Sequence, residues 1–116
     1  EDKSIALFLA TTEHNLGICK FLFAEGALLD IRVEGGNTPL LEAASGPLEV
    51  FEWLVESGSD LGAINEEGSN SLHLAASAGN EELVHWLVEK KHFSLELKNK
   101  AGQTALHCAV FPDVSP

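Results

Sequence analysis

Residues 36–44, GNTPLLEAA, decide the fold, because the same pattern returns twice further along the chain. It recurs as GSNSLHLAA over residues 68–76 and as GQTALHCAV over residues 102–110, with the leading glycines 32 and 34 residues apart. A pattern that returns at such a period indicates one small structural unit stacked along an axis, each copy packing mainly on its neighbours.

A second block of sequence repeats in step with the first. FLFA at residues 21–24, WLVE at 53–56 and WLVE at 86–89 follow one another at intervals of 32 and 33 residues. Two apolar residues lie just before each block, so apolar side chains fall at positions i, i+1, i+3, i+4 and i+5, which indicates one broad apolar helix face. Each unit therefore predicts a short helix, a turn, a longer helix and a projecting loop. The first helices are predicted at residues 4–11, 38–45, 70–78 and 104–111, the second helices at 16–25, 47–57 and 81–91, and the loops at 30–37, 63–69 and 96–103.

Three departures from the repeat carry local predictions. Gly26 and Gly58 follow the first two long helices, where glycine favours a left-handed C-terminal cap. The third long helix is followed by Lys91 and His92 and by one extra residue, which predicts a looser or bulged connection. The first helix of the second unit has one residue fewer before its turn, and we expect it to be clipped by part of a turn.

The Thr-Pro-Leu core and the period near 33 resemble those of the ankyrin-repeat family over nearly the whole chain. The resemblance implies an all-α solenoid that binds another protein and performs no reaction. The expected division of the single domain 1–116 is an atypical repeat at 4–32, repeats at 33–64 and 65–98, and a partial repeat at 99–112. Because the last unit holds one helix, we expect a fragment of a longer chain or a reduced cap, whose uncapped apolar end favours self-association.

Charge is uneven along the chain, whose formal net charge is −11. Residues 1–89 hold three basic residues against sixteen acidic ones, whereas residues 90–116 hold four against two. An acidic surface repels nucleic acid and anionic lipid, so neither is an expected partner. A basic partner is favoured, although solubility alone explains the charge equally well. No apolar run approaches the roughly 18 residues of a membrane span.

The two cysteines, Cys19 and Cys108, fall in different predicted units, beyond the reach of a disulfide. They predict small buried apolar side chains in a reducing compartment, so we expect a cytoplasmic or nuclear protein. His107 and Cys108 are neighbours on one helix and point apart, and the sequence has no Cys-x-x-Cys or His-x-x-x-His pair. No metal site and no cofactor are therefore expected.

Several residues that resemble catalytic or ligand-binding groups follow the repeat instead. His73 and His107 share one repeat position, and the resemblance implies that their rings bond to the residue three positions earlier, Asn70 or Thr104, and to backbone. Trp53 and Trp86 align with Phe21, which predicts an inter-repeat core rather than a stacking platform for a ligand. The remaining candidates are glycines at a tight turn, Gly35 and Gly36, and solvated carboxylates, Glu66 and Glu67 with Glu81 and Glu82.

The resemblance also implies where a partner binds, namely the loop tips and the concave face lined by the first helices. Candidate contacts on the tips are Glu34, Gly35, Asn37, Glu66, Glu67, Ser69, Lys100 and Gln103, and those behind them are Ser45, Ser77, Ala78 and Phe111. The first two tips are acidic and the third is basic. We therefore expect an extended peptide or a helix with one basic and one acidic end.

Three other readings stay open. The segment is a regulatory or targeting module of a larger enzyme or channel, or it assembles with copies of itself through its uncapped end. A standalone enzyme is the weakest reading, because the sequence contains no nucleophile, base and orienting group at catalytic spacing.

Overall fold

The computed structural model describes residues 2–33 and 35–110, which form seven helices and no β-strand. The helices are α1 (Asp2–Thr12), α2 (Leu16–Ala24), α3 (Pro39–Glu42), α4 (Leu48–Glu56), α5 (Ser71–Ser77), α6 (Glu81–Glu89) and α7 (Ala105–Val110), and a 3₁₀ turn (Ala43–Ser45) continues α3. Every predicted helix is present, so the all-α fold is confirmed. We call α1–α2, α3–α4 and α5–α6 the first, second and third units.

Short polar side chains begin the helices. Thr38 Oγ1 accepts a hydrogen bond from the Leu41 amide at 3.3 Å, and Asn70 Oδ1 accepts one from the His73 amide at 2.9 Å. Asn15 and Asn80 cap α2 and α6 in the same way. Each cap satisfies an amide that has no partner inside its helix, which stabilises the start of the helix by about 1 kcal/mol.

Glycine ends the first two long helices, as predicted. Gly26 and Gly58 have φ of 103° and 111°, and the following amides, those of Ala27 and Ser59, donate to carbonyls five residues back at 3.0 Å. These bonds satisfy carbonyls at the helix end in the pattern of a Schellman motif.

The third long helix ends differently, because it lacks the glycine. His92 takes the left-handed conformation instead, with φ of 59°, and the Phe93 amide donates to the Leu87 carbonyl across six residues. The predicted bulge after α6 is therefore confirmed.

The clipped first helix of the second unit is also confirmed. Helix α3 has four residues before the 3₁₀ turn begins. Asn80 of the third unit compensates, since its Nδ2 donates to the carbonyls of Ala44 and Gly46 at 2.8 and 2.9 Å. The third unit therefore holds the turn of the second.

The core runs along the seams between units. Phe51, Leu54, Leu83 and Leu87 are each fully buried. The tryptophans are half-buried and pack edge-to-face across the seams, Trp53 against Phe23 with ring centroids 5.6 Å apart and Trp86 against Phe51 at 5.8 Å. The predicted inter-repeat role of both tryptophans is confirmed.

Phe21 does not join this column, and the prediction that it does is wrong. Its side chain is 64% exposed. A tryptophan in the second or third unit packs on an aromatic ring of the unit before it. The described residues place no helix pair before α1 and α2, so Phe21 has no such ring to pack on.

Candidate partner-binding surface

The three loop tips stack on one another through backbone hydrogen bonds. The Glu66 amide donates to the Gly35 carbonyl at 3.0 Å, and the Lys100 amide donates to the Glu67 carbonyl at 2.9 Å. Side chains join the same tips, because Asn65 Nδ2 donates to Asn37 Oδ1 at 3.1 Å. We call residues 35–37, 65–69 and 99–103 the tip ladder.

Two glycines make this close stacking possible. Gly36 and Gly68 have φ of 84° and 76°, a region in which residues with a side chain are strained. A Cβ at either position would lie 2.9 Å from the backbone nitrogen of the next tip, at Glu66 or Lys100. The glycine that leads each repeat is therefore required by its neighbour as well as by its own turn.

An asparagine shapes each of the second and third tips from within. Asn65 Oδ1 accepts hydrogen bonds from the amides of Glu67 and Ser69, at 2.9 and 3.1 Å. Asn99 Oδ1 does the same for the amides of Ala101 and Gln103, both at 3.0 Å. Neither asparagine was among the predicted site residues, although their spacing of 34 residues in the sequence would have revealed them.

The first tip is held by an arginine instead. Arg32 Nη1 donates to the carbonyls of Gly36 and Ile64, both at 2.7 Å. Sequence reasoning missed this contact as well, and no repeat signal points to it because the other units have no arginine. The guanidinium fastens the first tip to the strand of chain that leads into the second.

His73 ties helix α5 to the third tip. The side chain is buried, its Nδ1 accepts the Asn70 amide at 3.1 Å, and its Nε2 lies 2.9 and 3.1 Å from the carbonyls of Leu97 and Gln103. These contacts place the ring proton on Nε2, where it is donated to the loop.

His107 repeats half of this arrangement. Its Nδ1 lies 3.1 Å from Thr104 Oγ1 and 3.3 Å from the Thr104 amide. Both histidines therefore have the structural role that the resemblance implied, as part of the scaffold.

The predicted contact residues divide by exposure. Gly35, Ser45, Glu66, Glu67, Ser77, Ala78 and Lys100 are exposed, and Asn37 and Gln103 are half-buried with their side chains bonded inside the ladder. Ser69 is 4% exposed and its hydroxyl accepts a hydrogen bond from Asn99 at 3.3 Å, so its side chain belongs to the ladder and leaves the set of candidate contacts. Glu34 and Phe111 lie outside the described residues.

A cleft of about 190 Å³ brings three of the predicted contacts together behind the second and third tips. Glu67, Ser77 and Gln103 line its edges, and Leu74 and Cys108 lie among the apolar lining. Its size suits a single side chain rather than a small-molecule ligand, for which several hundred Å³ is typical.

Charge changes sign along the ladder. Glu66 and Glu67 on the second tip and Lys100 on the third are exposed. In the described part of the chain the one ion pair is His85 with Glu89, so these three side chains are not paired with one another. An arriving partner meets two unpaired carboxylates beside an ammonium group.

The thiols are buried and unbonded to each other. Cys19 and Cys108 are free, as predicted, and burial raises the pKa of both thiols above the ordinary cysteine value. Residues 2–33 and 35–110 contain no group of three metal-binding side chains. None of the helices described here is long and apolar enough to cross a bilayer.

Two family models match the chain. A model described as ankyrin repeats (3 copies) matches residues 1–65, and one described as ankyrin repeats (many copies) matches residues 43–88 and 72–111. A search of curated proteins found no match. The helical units, the stacked tips and these matches together show that the chain belongs to the ankyrin-repeat family. Ankyrin repeats are in general protein–protein interaction modules and are typically not catalytic.

Proposed function

We propose that this protein binds a segment of a partner protein along the tip ladder and the adjoining concave face, without catalysing a reaction. The observation that carries the proposal is the contrast within each tip. The backbone is fixed by hydrogen bonds to its neighbours, whereas the side chains of Glu66, Glu67 and Lys100 point into solvent. A surface whose backbone is already ordered loses little entropy on binding.

The charges and the cleft specify the partner segment. A basic stretch of the partner faces Glu66 and Glu67, and an acidic stretch faces Lys100. Between them, one apolar side chain of the partner enters the cleft against Leu74 and Cys108. Because the carboxylates are exposed, they increase the association rate more than they strengthen the final complex, and the effect weakens as salt rises.

The proposal is tested by comparing two charge-reversed proteins. Glu66→Lys with Glu67→Lys alters the ladder, and Glu49→Lys with Glu56→Lys makes the same change in charge on exposed positions of α4. Proteins captured from a lysate by the native chain and by the α4 variant, but lost with the ladder variant, are the partners the proposal expects. For a captured partner, the association rate should fall about tenfold for the ladder variant at low salt. Equal association rates for the two variants would remove the ladder from the site.

Homotypic assembly is the second candidate, favoured by exposed apolar side chains at both ends of the stack. Ile18 and Phe21 are 49% and 64% exposed on α2, and Leu106 is 69% exposed on α7. Light scattering over a range of protein concentrations separates an assembling chain from a monomer. A cytoplasmic or nuclear location, and a role inside a larger enzyme or channel, remain predictions.

A further inference from the structure

A groove of about 740 Å³ lies at the end of the stack, between α6 and α7. Its apolar lining includes Val84, Leu95, Ala105 and Leu106, and it contains none of the residues expected on the tip-ladder surface. Its volume lies within the range of functional binding sites. The groove is therefore a second surface, separate from the ladder.

The repeat shows what kind of group fills such a place. Leu40, Leu72 and Leu106 occupy the same repeat position, and their exposed fractions are 1%, 1% and 69%. Helix α4 packs beside α3, and α6 packs beside α5. In the second and third units the leucine is therefore covered by a helix whose apolar residues repeat at spacings of three and four. A short amphipathic helix has the shape that fits beside Leu106.

Charge selects among helices of this kind. The rim of the groove carries two carboxylates, Glu81 and Glu96, and its lining contains no lysine or arginine. The chain's own helices of this pattern, α4 and α6, each contain three glutamates. Such acidic helices meet repulsion at this rim, whereas a helix with lysine or arginine beside its apolar face meets attraction.

We propose that the groove between α6 and α7 docks a basic amphipathic helix of a partner protein. Apolar side chains of the partner helix cover Leu106 and Val84, and its basic side chains face Glu81 and Glu96. This docking site is independent of the tip ladder, so the chain holds a partner at two surfaces.

Two peptides of one length test the proposal. The first has the sequence of residues 79–91, GNEELVHWLVEKK, which already contains the apolar pattern of α6. The second carries Glu81→Lys, Glu82→Lys and Glu89→Lys. Both are held helical by the same covalent staple, because free helices of this length are marginal in water. Calorimetry with the whole chain should give a dissociation constant on the order of 10–100 μM for the basic peptide and at least about tenfold weaker binding for the acidic one.

Variants of the chain locate the binding. Leu106→Glu places a charge in the groove and should weaken the basic peptide at least about tenfold. Leu9→Glu makes the same change on α1, at a side chain 57% exposed at the other end of the stack, and should leave binding unchanged. Both replaced leucines are exposed, so thermal melts of the two variants should match the native chain. Glu66→Lys with Glu67→Lys should also leave peptide binding unchanged, which separates this test from that of the ladder.

Each of the following results would overturn the proposal. Neither peptide binds at millimolar concentration, or the acidic peptide binds as well as the basic one, or Leu106→Glu has no effect. Concentration-dependent self-association that Leu106→Glu removes would assign the groove to a second copy. A longer form of the chain that no longer binds the basic peptide would assign it to that chain's own helix.

Discussion

The third unit and the last helix contain the same repeat residues in different surroundings. Leu72 on α5 is 1% exposed, whereas Leu106 on α7 is 69% exposed. A Cβ on Gly68 would lie 2.9 Å from the next tip, whereas a Cβ on Gly102 meets nothing within 4 Å. The comparison teaches that the repeat fixes which residue stands at each position, and the following unit determines what that residue does.

The largest expected difference is between Leu72→Ala and Leu106→Ala. Removing the buried Leu72 side chain leaves a cavity between units and should lower the free energy of unfolding by about 3–4 kcal/mol. The same change at the exposed Leu106 should cost less than about 0.5 kcal/mol. Urea unfolding followed by circular dichroism measures both. Equal losses would mean that Leu106 is covered in solution.

Trp86→Ala tests the seam directly. Trp86 is half-buried, stacks edge-to-face on Phe51 and lies under the Lys91 ammonium, whose Nζ is 5.3 Å from the ring centroid. Its removal should cost about 3 kcal/mol, at the lower end of the range for a fully buried tryptophan. Lys91→Ala is the control for the cation contact and should cost less than about 1 kcal/mol. Native-like stability of Trp86→Ala would count against a packed seam.

His73 and His107 form the next matched pair. His73→Ala breaks buried hydrogen bonds to Asn70, Leu97 and Gln103 and should destabilise the chain by about 2–3 kcal/mol. His107→Ala loses only the exposed contact with Thr104 and should cost about 0.5 kcal/mol. Thermal melts would show the difference, and a cost for His107→Ala as large as for His73→Ala would contradict the described contacts.

Gly68→Ala and Gly102→Ala separate a residue's own turn from its neighbour. Both positions have positive φ, of 76° and 79°, so each substitution should cost about 1 kcal/mol of backbone strain. Gly68→Ala also presses on the Lys100 backbone nitrogen and should cost roughly a further 1 kcal/mol. A difference of zero between the two variants would mean that the tips do not stack as described.

The smallest expected effect concerns the thiols, which lie on both sides of the comparison. Because burial raises the pKa of Cys19 and Cys108, less thiolate is present at pH 8 than in a free cysteine, and alkylation by iodoacetamide should be slow in the native chain. The unfolded chain releases these protons at lower pH than the native chain does. Stability should therefore be unaffected below the ordinary thiol pKa and should fall as pH rises above it. Alkylation as fast as in urea would contradict this burial.

Most of the fold could be predicted, because periodicity alone locates the helices and the aromatic residues of the seams. The contacts between units were harder to predict. Ser69 resembles any exposed loop serine in the sequence, and its burial depends on Asn99 from a different unit. Arg32 has no repeat signal at all, and the exposure of Phe21 follows from its place at the edge of the described stack. Residues whose role is set by another unit are therefore the ones that a self-alignment misses.

Hydrogen exchange of the tip amides tests the central claim most directly, since it needs no partner. The account predicts that the Glu66 and Lys100 amides, which donate to the neighbouring tip, are protected in the native chain. It also predicts that Gly68→Ala lowers the protection of Lys100 while leaving that of Glu66 intact. Exchange of both amides at the rate of an unstructured peptide would contradict an ordered ladder.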